Sequence, residues 1–120
     1  MAKIMVVDDS ALSRRILRVI LESAGHTLLE ESDGLSAIEH YFLNKPDCVF
    51  LDMTMQGMNG LDVLIQLKKI DPHAKVIIGS ADIQLSTKEN VRAHGASGFI
   101  EKPFTPEKVF AILNPLLEMA

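Results

Sequence analysis

The sequence is short of several things, and each shortage removes a class of protein. It has one cysteine, so no disulfide can form within the chain. Cys48 lies inside an apolar run and reads as a small buried hydrophobe in a reducing compartment, with the cytoplasm as the expected location. No apolar run approaches the ~18 residues that a membrane span needs. The four apolar residues after Met1-Ala2-Lys3 are too few for a signal-peptide core. Positive charge is in deficit, with 12 Lys and Arg against 16 Asp and Glu and a net charge of -4. That balance argues against a general nucleic-acid surface, which needs a basic face. Linkers, internal repeats and low-complexity tracts are missing too, so residues 1–120 read as one domain. The chain has 48% hydrophobic and 23% charged residues, the balance of a globular protein with a real core.

The positive signal is alternation. Short apolar runs stand at Ile4–Val7, Thr27–Leu29, Cys48–Leu51, Val76–Ile78 and Gly98–Ile100. They are continuous, as in strands covered on both faces of a parallel sheet. Between them lie segments with helical spacing. Leu12, Ile16, Val19, Ile20 and Ser23 share a face after Ser10, a cap; Leu35, Ile38 and Phe42 share one after Asp33-Gly34. Leu61, Leu64, Ile65 and Leu67 follow Gly60. Val109, Phe110, Ile112 and Leu113 follow the cap and first-turn pair Thr105-Pro106, and Pro115 is expected to kink or fray that helix. Gly25, Asn44-Lys45-Pro46, Asp71-Pro72 and Gly95 mark helix stops. Ser86 and Glu89 suit a capping box for a helix poor in apolar residues, whose low burial makes it the expected moving part. Five strand–helix pairs in alternation mean a doubly wound α/β sandwich with parallel strands.

Ligands of such sheets sit at the carboxyl ends of the strands. Asp8 and Asp9 follow the first run, Glu30, Glu31 and Ser32 the second, and Asp52 the third. Ser80 and Ala81 follow the fourth, and Glu101, Lys102 and Pro103 the fifth. The topology therefore gathers the carboxylates of Asp8, Asp9 and Asp52, the Ser80 hydroxyl and the Lys102 ammonium on one sheet edge. Crowded carboxylates repel unless a cation intervenes, and a set of hard oxygens with room for water suits Mg²⁺, or Mn²⁺, better than zinc. A cation beside Lys102 and Ser80 makes a receptor for a phosphoryl group. An aspartate in that place can be the nucleophile that takes it.

The constellation resembles the receiver domain of two-component response regulators, the family of the single-domain chemotaxis regulators. Val6-Val7-Asp8-Asp9-Ser10, Asp33-Gly34 with Ala37, Leu51-Asp52-Met53-Thr54-Met55, Met58-Asn59-Gly60, Ile78-Gly79-Ser80-Ala81, Gly95-Ala96 and Phe99-Ile100-Glu101-Lys102-Pro103-Phe104 carry the resemblance in order. It covers essentially the whole chain. It implies a flavodoxin-like strand order 2-1-3-4-5. Asp52 is the implied phosphoacceptor, and Asp9 a direct Mg²⁺ ligand, with Asp8 helping through water. Thr54 lends the cation its backbone carbonyl. Ser80 and the Ala81 amide hold phosphoryl oxygens, Lys102 pairs with the phosphate, and the Lys102–Pro103 bond is cis. Phe99 changes rotamer as Ser80 moves. Thr54 and Asp82 flank the route of the hydrolytic water. The implied partners are a histidine kinase or a histidine phosphotransfer protein, and an output protein or domain on the face of the fourth helix, fifth strand and fifth helix. No nucleic acid or membrane is expected as a direct partner. Such a chain is no turnover enzyme: it catalyses only its own phosphorylation and dephosphorylation.

Four positions depart from the family pattern. Gln56 stands where Pro is usual, leaving the loop after Asp52 less constrained, and Asn59 replaces a common Asp. Gly79 takes the place of a bulkier residue and is expected to loosen the end of the fourth strand. Phe99 lacks the hydroxyl of the chemotaxis regulators' Tyr, which speaks against a flagellar-motor partner. The four histidines show no ligand spacing and read as surface or loop residues. Met53, Met55 and Met58 read as gap-fillers, and Lys68-Lys69 as a solvated helix face. A phosphatase with an Asp nucleophile would want an acid at Thr54, and a flavin- or nucleotide-binding module would want a Gly- or Ser/Thr-rich loop at Asp8-Asp9. A constitutive docking module of the same fold differs only in whether Asp52 takes phosphate.

Overall fold

Each apolar run forms a strand: β1 Lys3–Val7, β2 Thr27–Glu31, β3 Cys48–Asp52, β4 Val76–Ser80 and β5 Gly98–Glu101. The helices between them are α1 Ala11–Ser23, α2 Gly34–Asn44, α3 Gly60–Ile70, α4 Leu85–Ala93 and α5 Pro106–Glu118. The computed structural model describes residues 1–55, 57–81 and 84–119. The strands are parallel in the order β2-β1-β3-β4-β5, the flavodoxin-like arrangement. Strand residues alternate between two cores, as the period of two requires. Met5, Val7, Val49, Leu51, Val76 and Ile78 pack against α2, α3 and Val91 of α4. Ile4, Val6, Phe50, Ile77 and Ile100 pack against Leu17, Ile20 and Leu21 of α1 and Val109 and Leu113 of α5.

Several sequence expectations change at this level. The strands run further than their apolar residues, because the backbones of polar residues complete the ladder: Glu31 pairs with Val7, Asp52 with Gly79 and Ser80 with Glu101. Asp52 and Ser80 are thus the last residues of their strands, not the first after them.

The buried face of α1 is Leu17, Ile20 and Leu21, while Leu12 and Val19 are exposed. In α2 the buried residues are Gly34, Ala37 and Tyr41, and Leu35 and Phe42 point to solvent. A β-carbon on Gly34 would come within 2.6 Å of Val63 Cγ2, so the start of α2 lies too close to α3 for any side chain at that position. Val63 joins Leu64 and Leu67 as the buried set of α3.

The caps at Ser10, Asp33 and Thr105 accept from the amides of Ser13, Ser36 and Lys108. α4 begins at Leu85 with Gln84 as its cap and no side-chain cap bond from it, which puts Ser86 inside the helix rather than at the cap expected for it. Val91 is the buried residue of α4 among the described ones. α5 continues past Pro115 to Glu118. Gly25, Lys45 and Gly95 close α1, α2 and α4 with positive φ. Lys69 is exposed, as a solvated helix face requires, while Lys68 is half-buried and its ammonium donates to the Ala74 carbonyl at 2.9 Å, beside the start of β4.

Candidate functional site

Parallel strands deliver their last residues to one edge, and the side chains there meet. Asp8, Asp9, Ser10, Asp52, Thr54, Ser80, Ala81 and Lys102 line one open pocket of about 400 Å³. Of the described residues expected to carry the chemistry, Phe99 is the one outside this lining; it lies on β5. Asp8, Asp52 and Ser80 are buried, Asp9 and Thr54 exposed. One carboxylate oxygen from each of Asp8, Asp9 and Asp52 lies within 4.8 Å of the others. Three hard oxygen donors at that spacing fit a small divalent cation that keeps some of its water.

Lys102 reaches the acids from the fifth strand end. Its Nζ stands 2.9 Å from Asp8 Oδ2 and 3.3 Å from Asp52 Oδ1. Burial works to lower the pKa of this ammonium, but the Asp8 hydrogen bond and the two carboxylate charges outweigh it and hold the pKa above the ordinary range. Asp52 shifts upward: burial disfavours its charge, Asp8 adds repulsion, and Lys102 offsets only part of this. The Lys102 amide donates to the Ser80 carbonyl at 2.8 Å, and the Lys102–Pro103 peptide is cis.

The family model for the response regulator receiver domain matches residues 4–114. The chain belongs to the response regulator receiver family. Chemotaxis protein CheY of Thermotoga maritima is 41% identical over 113 residues, covering 93% of this chain and 94% of that protein. NtrX from Brucella abortus matches with a TM-score of 0.91 at 34% identity, over 98% of this chain but 27% of the NtrX chain, so this receiver spans about a quarter of that structure. CheY4 of Vibrio cholerae matches with a TM-score of 0.91 at 25% identity, over 97% of this chain and 98% of its own. Receivers are signalling modules of two-component systems, not turnover enzymes.

This receiver fills the space that Gly79 leaves open. A β-carbon there would stand 3.2 Å from Phe104 Cζ, so the buried Phe104 ring takes the volume of the missing side chain. The end of β4 is therefore packed rather than loose, with a residual void of about 10 Å³ beneath Asp8 and Asp52, room for one water at most. Asn59 caps α3 by accepting from the Asp62 amide at 3.0 Å. Met55 is buried and Met53 and Met58 pack on the core, as gap-fillers do. Gln56 and Asp82 lie outside the described residues.

The histidines are half-buried or exposed. His40 pairs with Glu31 at 2.7 Å, and His26 Nδ1 accepts from the Ala2 amide. Cys48 is buried, and burial pushes its thiol up to about 12. Two residues near the pocket escaped the sequence reading. Phe104 enters the sequence pattern only as the end of a motif. Arg14 donates to the Asp8 carbonyl at 2.6 Å, and a helix residue that reaches back to a main-chain oxygen leaves no sequence pattern.

Proposed function

We propose that this receiver accepts a phosphoryl group on Asp52 from a phosphohistidine of a histidine kinase or histidine phosphotransfer protein. The observation that carries this reading is the Lys102 ammonium set between Asp8 and Asp52 in a pocket shared with Ser80 and Ala81. An Asp52 carboxylate oxygen attacks phosphorus, the P–N bond to imidazole breaks, and the freed imidazole nitrogen takes a proton. Lys102 offsets charge on the phosphoryl oxygens, while the Ser80 hydroxyl and the Ala81 amide donate to them. Asp9 directly, Asp8 through water, Asp52 and the Thr54 carbonyl are the groups that would hold Mg²⁺ or Mn²⁺. That cation, when bound, supplies charge neutralisation for the crowded acids and the phosphoryl oxygens. Hydrolysis of the acyl phosphate by the protein itself ends the signal, with Thr54 beside the path of the water; a Thr54→Ala acyl phosphate that decays at the wild-type rate would remove Thr54 from this role.

The output surface in this reading is the face of α4, β5 and α5, in a protein that works in the cytoplasm. A groove of about 340 Å³ runs there, lined by Phe99, Ile100, Glu101, Lys108, Ala111 and Ile112. The Arg92 guanidinium of α4 stands 5.7 Å over the Phe99 ring, so a turn of that ring alters the seat of α4. Phosphate brings about two negative charges and three acceptor oxygens to the end of β4. Ser80 moves toward them, Phe99 turns inward, and the population shifts.

The test is intact mass after incubation with a small acyl or amide phosphodonor. A single phospho adduct is expected in wild type with Mg²⁺, and none in Asp52→Asn or in excess chelator. An adduct that persists in Asp52→Asn overturns the assignment, and no adduct in wild type leaves a docking module without phosphorylation. For the switch, NMR shifts induced by a beryllofluoride complex should spread through residues 84–104. Shifts confined to the pocket would refute the switch.

A further inference from the structure

Every polar group of Asp8 is tied down. Its amide donates to the Glu31 carbonyl at 3.0 Å, Oδ1 accepts from the Ser10 amide at 2.9 Å, and Oδ2 accepts from Lys102 at 2.9 Å. The fourth tie is of another kind. The Asp8 carbonyl accepts from Arg14 Nη1 at 2.6 Å, and Arg14 Nε lies 3.3 Å from the Glu30 carboxylate on β2. Glu30 is also held by Arg18, one turn further along α1. The side chains of Arg14 and Glu30 are only 20% and 23% exposed, so this junction is partly shielded from water.

The carbonyl that Arg14 holds belongs to the peptide joining Asp8 to Asp9. A peptide is planar, so fixing its oxygen fixes the plane from which Asp9 hangs. We infer that Arg14, anchored by Glu30, is a positioning residue that orients the Asp8–Asp9 peptide so that the Asp9 carboxylate stays within reach of a cation shared with Asp8 and Asp52. This rests on the reading of the pocket as a cation and phosphoryl site. A guanidinium suits this bridge, since Nη1 and Nε sit in a rigid fork and reach two acceptors from two nitrogens, whereas lysine has to bring a single nitrogen to both.

The sign of the effect separates positioning from plain charge. Arg14 is a cation bonded to the main chain of the acid loop. If it acted through charge alone, its removal would leave the pocket more negative and tighten cation binding, and lysine in its place would change nothing. A positioning role gives the opposite: removal weakens binding, and lysine fails to restore it.

The experiment is Mn²⁺ titration of the full chain by electron paramagnetic resonance, well below the melting temperature and at constant ionic strength, with folding checked by circular dichroism. Arg14→Ala is expected to bind Mn²⁺ about tenfold more weakly than wild type, the usual scale for losing a group that orients a ligand. Arg14→Lys is expected to bind several-fold more weakly, and it decides the matter if Arg14→Ala does not fold. Wild-type affinity in Arg14→Lys, or tighter binding by Arg14→Ala, overturns the inference while the cation site stands. A wild-type protein that binds no Mn²⁺ overturns the cation site itself, and the inference with it.

Discussion

Gly60 is the residue at which stability and the pocket are most directly joined, and its replacement by alanine can be worked through. Gly60 begins α3, and its amide donates to the Met53 carbonyl at 3.0 Å. A β-carbon there would stand 2.5 Å from the Asp52 carbonyl oxygen, 2.7 Å from Met53 Cα and 3.2 Å from the Asp52 carbonyl carbon. Alanine gains about 1 kcal/mol over glycine in helix propensity. Overpacking a filled site costs about 1–3 kcal/mol, and here the cost sits at the top of that range because the struck atoms are main chain and cannot rotate away. The net loss is about 2 kcal/mol. At about 2.1 cal/mol/K per residue of unfolding entropy, that lowers the melting temperature of this 120-residue chain by about 8 °C.

Gly98→Ala is the matched control. Its β-carbon meets Cδ1 and Cγ1 of Ile112, the outer end of a side chain that can change rotamer, so its cost should stay below about 1 kcal/mol. Urea unfolding followed by circular dichroism measures both, since the chain has no tryptophan to report by fluorescence. A Gly60→Ala protein as stable as wild type, or losing no more than Gly98→Ala, would show that α3 does not press on the phosphoacceptor strand as described.

Asp52→Asn should raise the melting temperature at neutral pH. Burial and Asp8 lift the Asp52 pKa in the fold, so the charged form is a cost above that pKa and no cost below the ordinary carboxylate range; the gap between variant and wild type should close in acid. An unchanged melting temperature at pH 7 would contradict it. Tyr41→Phe has the opposite pH signature. The Tyr41 hydroxyl donates to Asp71 at 2.8 Å and is the main cause of the lowered Asp71 pKa. The bond contributes about 1 kcal/mol above the ordinary carboxylate range and is lost as pH falls through the lowered pKa, so a Tyr41→Phe deficit of equal size at pH 7 and pH 2 would refute it.

The strand ends were legible because their chemistry is additive: each run stops at a group that makes sense only beside the others. The faces of α1 and α2 were not, because large apolar residues drew the eye. Leu12 and Val19 on α1, and Leu35 and Phe42 on α2, fit a helical period as well as the residues that are buried. What marks the other face of α2 is the close approach to α3 at Gly34, where small size rather than hydrophobicity is the requirement, and no periodicity reports interhelical distance. The filling of Gly79 by Phe104 was hidden for a similar reason: the two residues are 25 positions apart, and only the fold sets the ring over the gap.

The strand order leaves β2 and β5 as open edges, where unpaired main-chain groups invite another chain to add on. Both edges are poor templates. β5 has four residues, begins at Gly98 and stops at Glu101, two positions before Pro103. β2 ends in Glu30 and Glu31, held by Arg14, Arg18 and His40, so an incoming strand would meet charges already committed to partners. The ion pairs that steady the acid loop on one side thus guard the sheet against aggregation on the other. Removing both carboxylates, as in Glu30→Gln with Glu31→Gln, should appear as faster growth of light scattering on warming, even where the monomer still folds.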